Sequence, residues 1–266
     1  MKIHETLKRG FFCAAGASVF LFATACNGND VPSGNVDIWS TYNTTKIMRE
    51  KYDYVKRDAR IDVEMAKNEV GAQIVFTPEY DVKSYDLVLS DLHCGDAVFP
   101  KENIVAYKQG YVNVTSKTPN QQNAAYPTGW TADFMLPLEK AKEYGETTVS
   151  KGHNQGITVE FSSVTDMPAG VYTGSFTLII DKKNTDIPVS VTVWDIDVSK
   201  VYGKSCFGYS FQNDFMQGEL SNTKETVEAF YEFLLDNRIS PADFPPGPEA
   251  QPDVFAEEFD KYCTHR

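Results

Sequence analysis

The chain has 266 residues, 42% hydrophobic and 23% charged, the composition of a folded polypeptide long enough for one large or two ordinary domains. Its formal charge of −12 argues against a nucleic-acid partner, because phosphate neutralisation needs clustered Lys and Arg. Seventeen Phe, fourteen Tyr and three Trp suit an aromatic-rich β core first and sugar-stacking surfaces second.

Residues 1–26 read as a targeting segment, with Lys2, Lys8 and Arg9 as a basic start and an apolar run over residues 11–25 that is too short to span a bilayer. The run ends Ala23-Thr24-Ala25-Cys26, which resembles a bacterial lipobox. Cleavage before Cys26 and acylation of its thiol would then make Cys26 a lipid anchor in the cell envelope, periplasmic or at the cell surface. Residues 27–35, small and polar, read as a tether. Cys94, Cys206 and Cys263 remain, an odd number for an oxidising compartment. No CxxC spacing exists, and His4, His93, His153 and His265 are scattered, so neither a metal nor a cofactor is expected. His93 beside Cys94 reads as part of a surface loop.

From Val36 the chain reads as short strands punctuated by Gly, Pro and Asn, the pattern of an all-β sandwich. The candidates are residues 61–65, 70–76, 85–89, 104–107 and 157–161. Residues 117–152 carry Pro119, Pro127, Gly129 and Pro137 with little periodicity; this long connection is expected to line a domain interface, burying Trp130 and Phe134 there. Lys67-Asn68-Glu69 reads as a turn.

A hairpin over residues 168–198 closes the series. Pro168-Ala169-Gly170 supplies a turn, and Tyr172, Phe176, Leu178 and Ile180 face one way while Val171, Thr173, Ser175 and Thr177 face the other. After a polar loop, Asp181-Lys182-Lys183-Asn184, the return strand puts Ile187, Val189, Val191 and Val193 on one face and Trp194, Ile196 and Val198 on the other.

Beyond residue 198 the pattern changes. Residues 205–211 read as a buried strand, and an Asn222-x-x-Glu225 start signal opens a helix with Val227, Phe230, Tyr231, Leu234 and Leu235 on one face. A short strand at 239–241 and a second helix over 254–263 follow, so the order is strand, helix, strand, helix, the opening of an α/β repeat.

The blocks WSTYNTTKIMR (39–49), KNEVGAQIVFTP (67–78), HNQGIT (153–158), PAGVYTG (168–174) and PVSVTVWD (188–195) resemble the N-terminal immunoglobulin/fibronectin-like β-sandwich of bacterial proteins similar to glycoside hydrolase family 123. CFGYSFQND (206–214) and NRISP (237–241) resemble the start of the barrel that follows it. The resemblance implies a mainly β chain, with the sandwich over 36–198 and the truncated start of a (β/α)8 TIM barrel over 199–266. It also implies hydrolysis of a β-linked N-acetylgalactosaminide, a glycan substrate whose own 2-acetamido oxygen attacks the anomeric carbon. An adjacent Asp-Glu pair assists, the Asp orienting the acetamido group and the Glu protonating the leaving oxygen.

No Asp is followed directly by Glu in the 266 residues, so the pair has no position here. A (β/α)8 barrel takes roughly 200 to 250 residues, far more than the stretch after residue 198, and the chain is expected to be the N-terminal part of a longer enzyme. Strand ends in such barrels carry the site, which marks Gln212, Asn213, Asp214 and Asp243 as candidate sugar contacts; their competing role is to shape βα turns. A glycan-binding or scaffold lipoprotein that uses the sandwich alone is the other reading.

Overall fold

The computed structural model describes residues 34–50, 53–117, 128–163, 166–197, 208–209, 224–236 and 240–241. In chain order the strands are β1 (Val36–Thr41), β2 (Ile61–Lys67), β3 (Glu69–Pro78), β4 (Tyr85–Val88), β5 (Leu92–Cys94), β6 (Ala97–Phe99), β7 (Ile104–Val114), β8 (Gly129–Pro137), β9 (Gln155–Ser162), β10 (Gly170–Ile180), β11 (Lys183–Asp197), β12 (Gly208–Tyr209) and β13 (Ser240–Pro241). Among the described residues two α-helices, α1 (Leu138–Glu143) and α2 (Lys224–Asp236), and a 3-10 turn over Lys101–Asn103 accompany them. The chain is mainly β.

Two large sheets form. One has the order β1-β3-β9-β7-β8, and the other β2-β11-β10-β5-β6 with β4 also paired to β10. Alternation decides which side chains meet between them. On β3, Ile74 and Phe76 turn inward; on β9, Ile157, Val159 and Phe161 do so, and all five are fully buried. From the second sheet come Phe99, Tyr172, Phe176 and Leu178. Phe161 lies edge-on to Phe99 at 6.1 Å and stacks near Phe176 at 6.2 Å, while Phe76 meets Tyr85 edge-on at 5.1 Å. These rings from facing sheets supply the large apolar areas that dominate a core.

The hairpin sits inside the second sheet, β11 beside β10, and its faces divide as the alternation predicts: Tyr172, Phe176, Leu178, Ile180, Ile187, Val189, Val191 and Val193 are all buried, and Trp194 and Ile196 are exposed. Its connection is tighter than the four-residue loop expected. Only Asp181 and Lys182 turn the chain, both at positive φ (46° and 71°), the two-residue geometry whose twist matches the flanking strands. Asp181 is held there by contacts from across the sheet, its Oδ1 receiving the backbone N–H groups of Lys83 and Ser84 at 2.9 and 3.0 Å, and Asp tolerates the left-handed region better than most residues. Asn68 turns the chain between β2 and β3, its N–H reaching Ala66 O at 2.8 Å, as expected.

Two expectations are corrected. Within 117–152 lie a nine-residue strand, β8, and the helix α1. Strand β8 is the edge of its sheet and buries only Thr131 among its nine residues, so it has no apolar alternation to read. Phe134 is 52% exposed, not buried, and Trp130 carries the Arg49 guanidinium over its ring at 3.9 Å. His93 belongs to β5, opposite Val98, and not to a loop.

Among the described residues two compact units separate, one holding nearly all of both sheets and the other Met65–Glu69, Ser163–Ala169 and the chain from Val193 on. In the second, β12 pairs with β13 in parallel, Gly208 opposite Ser240 and Tyr209 opposite Pro241. Because α2 lies between them in the chain, this is a strand-helix-parallel strand unit. On α2, Leu234 is buried and Phe230 stacks with Phe233 at 6.2 Å.

Candidate functional site

The outer face of the five-stranded sheet is crossed by the segment that follows β1. Its last part returns along the free edge of β1, where Arg57 pairs with Ser40, and its middle reaches the free edge of β8, where Met48 pairs with Thr131. Backbone bonds fix that far end, Ala132 N to Ile47 O at 3.0 Å and Arg49 N to Trp130 O at 2.9 Å. Asn154 adds two more, its Nδ2 donating to Met48 O at 2.9 Å and Glu50 O at 3.2 Å. The segment therefore straps the sheet and caps both of its edges, where unpaired backbone groups otherwise invite foreign strands.

Beneath the strap the sheet presents two surfaces. Around Val75 the contact is apolar, with Trp39, Ile47 and Val75 buried together and Tyr54 stacked on Trp39 at 5.3 Å. Two residues earlier on β3 the outward residue is Gln73, 2% exposed. Its Nε2 donates to Tyr42 O and, at 2.8 Å, to Thr45 O. That fixes the amide orientation: Gln73 Oε1 is turned away and receives Gln109 Nε2 at 2.8 Å, which also donates to Thr158 Oγ1 at 3.0 Å. Gln109 Oε1 is thereby left buried without a donor.

Glycine makes this relay possible. Register places Lys108 of β7 opposite Ile157 of β9, so Gln109 comes next to Gly156, and its side chain lies flat across β9. Any Cβ at 156 would overlap the Gln109 amide. Register slips between Gln109 and Tyr111, a bulge of the kind that re-aims side chains. At its centre Gly110 is covered by the Phe134 ring.

The result is a cleft of about 420 Å³ between strap and sheet, with Gln73, Gln109, Thr158 and Glu160 on its floor and Tyr107 and Phe134 on its wall. Lys46 and Asp133, also on its lining, pair at 3.9 Å. A second polar cluster lies nearby. Tyr111 donates to Asn154 O at 3.0 Å and receives Gly156 N–H at 3.2 Å; burial pushes its phenol pKa upward, so it stays a neutral donor. The chemistry of the cleft is hydrogen bonding.

Gln212, Asn213, Asp214 and Asp243, and Cys26, the expected anchor, lie outside the described residues, as do Cys206 and Cys263. Cys94 is a free, partly exposed thiol. Among the described residues no group of three or more His, Cys, Asp or Glu side chains is placed to hold a metal. The amide relay was missed in sequence. Its signals, a Gln in an apolar strand and a Gly in a strand interior, are each weak alone.

No family model matches this sequence, and no curated protein does. Solved structures do. A family 123 glycoside hydrolase from Clostridium perfringens, described for glycolipid glycan hydrolysis, matches 77% of this chain at a TM-score of 0.54 and 12% identity. The chain spans 36% of that enzyme. The likeness is one of fold. The CooA pilin subunit of enterotoxigenic Escherichia coli (15% identity, 61% of this chain and 98% of that one, TM-score 0.29) and the Salmonella SafD adhesin (9%, 59% and 97%, 0.25) also match, at scores that carry no argument.

Proposed function

We propose that the chain is the N-terminal part of a lipid-anchored glycoside hydrolase resembling family 123. In this reading residues 36–198 are an immunoglobulin/fibronectin-like β-sandwich that buttresses a (β/α)8 barrel, and β12, α2 and β13 are the first βα unit of that barrel. The observation that carries it is the fold likeness to the Clostridium enzyme, which covers 77% of this chain and thus more than the two-sheet body alone. The parallel pairing of β12 with β13 around α2 adds support, since sequential parallel strands joined through a helix are the repeating unit of such barrels.

The whole protein, in this reading, hydrolyses a β-linked N-acetylgalactosaminide with the substrate acetamido oxygen as nucleophile and an Asp-Glu pair in support. Gln212, Asn213, Asp214 and Asp243 would contact sugar from the ends of the first two barrel strands, and Cys26 would hold the enzyme to the cell envelope. The decisive test is the transcript at this locus. Further βα units carrying an adjacent Asp-Glu pair, read in frame after Arg266, are expected; a stop followed by an unrelated gene contradicts the proposal. The 266-residue chain itself, lacking that pair, is expected not to release the aryl group from an aryl N-acetyl-β-galactosaminide.

A further inference from the structure

The outer edge of β4 carries no strap, and nothing in the glycosidase reading uses it. Among the described residues β4 pairs with β10 alone. Asp181 N–H donates to Ser84 O at 3.0 Å, so Ser84 turns its backbone toward that hairpin. Tyr85 to Val88 continue the same register, from Tyr85 opposite Ile180 to Val88 opposite Thr177. Backbone direction alternates along a strand, so Asp86 and Val88 also face β10, and Leu87 points its N–H to the open side. We propose that Asp86, held by Lys142, is a latch that closes this edge to strand addition, and that a second copy of the chain pairs there once the latch is lost.

Three observations converge. The Leu87 N–H is already taken, because it donates to Asp86 Oδ1 at 2.8 Å. The carboxylate thus sits where the carbonyl of an added strand would have to come. Asp86 is also kept from swinging away, since Lys142 Nζ on α1 donates to its Oδ2 at 3.0 Å, and Glu139 of the same helix lies 3.6 Å from that ammonium. Finally, the open side gives onto a groove of about 560 Å³ that Leu87 and Val88 share with Ile104 and Val105 of β7 and Leu138 of α1. Val88 and Val105 are exposed on its lining. An unpaired edge beside an apolar groove invites a foreign strand, and a charged side chain on the edge is one of the devices that prevent it. Asp is otherwise a poor strand residue, so its place on β4 fits this role.

The charges fit a second copy as the excluded partner. Around the groove Asp86, Glu102 and Glu139 alternate with Lys101 and Lys142, so two copies related by a twofold axis can set unlike charges against each other. The same axis lays β4 antiparallel to β4 and continues the sheet. The five-stranded sheet needs no such latch, because backbone bridges to the strap at Ser40 and Thr131 cover its two edges.

The test is sedimentation velocity of the intact chain over a range of concentrations, joined to amide hydrogen exchange at Leu87. Asp86→Ala removes the acceptor and is expected to add a concentration-dependent dimer to the parent profile. At the lowest concentration its Leu87 amide should exchange about tenfold faster, the equivalent of one lost hydrogen bond, and it should regain protection as the dimer forms. Asp86→Asn keeps an oxygen for the Leu87 N–H and should sediment like the parent; a merely structural ion pair with Lys142 would make the two variants alike. Val88→Lys added to Asp86→Ala should restore the parent profile by placing a charge on the edge. Lys142→Met tests the latch without altering β4, and the Leu87 amide should exchange faster there too. No added dimer in Asp86→Ala, equal association of Asp86→Asn, or Leu87 exchange that Lys142→Met leaves unchanged overturns the proposal. Turnover plays no part in these measurements, so their failure and that of the glycosidase reading are separately visible.

Discussion

Gln73 and Val75 leave the same strand on the same side, two residues apart, and are both buried under the same strap, yet one heads a polar relay and the other an apolar cluster. The difference lies in what the strap turns downward. Over Val75 it lays side chains, Ile47 with Trp39 and Tyr54 beside it. Over Gln73 it lays the carbonyl oxygens of Tyr42 and Thr45, which need donors once water is excluded. Backbone geometry above the sheet thus selects the residue below it. The polar choice propagates to Gln109 and Thr158, and the cleft opens where it does.

The largest effect should come from the apolar half. Trp39→Ala removes a fully buried ring and the face on which Tyr54 stacks, and denaturant unfolding is expected to show a loss of about 3–5 kcal/mol. Loosening of the strap should accompany it, seen as faster amide exchange at Arg49 and Ala132. A loss below about 1 kcal/mol would mean that the apolar contact does not hold the strap.

Gly156→Ala tests the polar half. The new Cβ displaces the Gln109 amide, and overpacking together with a broken relay should destabilise the chain by about 1–3 kcal/mol. Urea unfolding measures it. A neutral result would mean that Gln109 has another resting place and that Gly156 is not what admits it.

The hairpin, its faces and its order after the earlier strands were legible because two-residue alternation between a packed and a wetted face leaves a trace in sequence. Strand β8 was not, since an edge strand with a single buried residue has no such trace. The relay was not legible for a different reason. Gln73 to Gln109 is a contact between strands that β9 separates in the sheet, so it depends on register, on Gly156 and on the bulge at Gly110, none of which local spacing reveals. The candidates Gln212, Asn213, Asp214 and Asp243 rest on family resemblance and strand ends alone.

A second orphaned group sharpens the contrast with Gln109. The Tyr85 hydroxyl is buried between the sheets without a partner, and burial raises its pKa far above the usual phenol range. Tyr85→Phe removes an unsatisfied group from the core, so stability should hold or rise by about 1 kcal/mol by thermal unfolding. A marked loss of stability would show that the hydroxyl has a partner after all.

The smallest effect is electrostatic. Glu146 has its pKa lowered by the hydrogen bond and charge of Lys108 at 2.9 Å. A depressed carboxylate pKa stabilises the fold above the unfolded value of 4.5, and that contribution disappears as pH falls through the lower folded value. Glu146 is 60% exposed, so solvent screening keeps the contribution small. Glu146→Gln should flatten the acid limb of the melting curve only slightly, and a large change would assign the pair a greater role than its exposure allows.

The central claim is that the carbonyls of Tyr42 and Thr45 above the sheet and the space left at Gly156 within it set the amide relay. Side-chain amide resonances of the 15N-labelled chain read this directly, compared between the parent chain and Gly156→Ala. The NH2 signals of Gln73 and Gln109 are expected to shift together and to exchange faster with water in the variant, while that of Asn184 in the hairpin stays fixed. Gln73 and Gln109 signals left unmoved by Gly156→Ala would contradict the account.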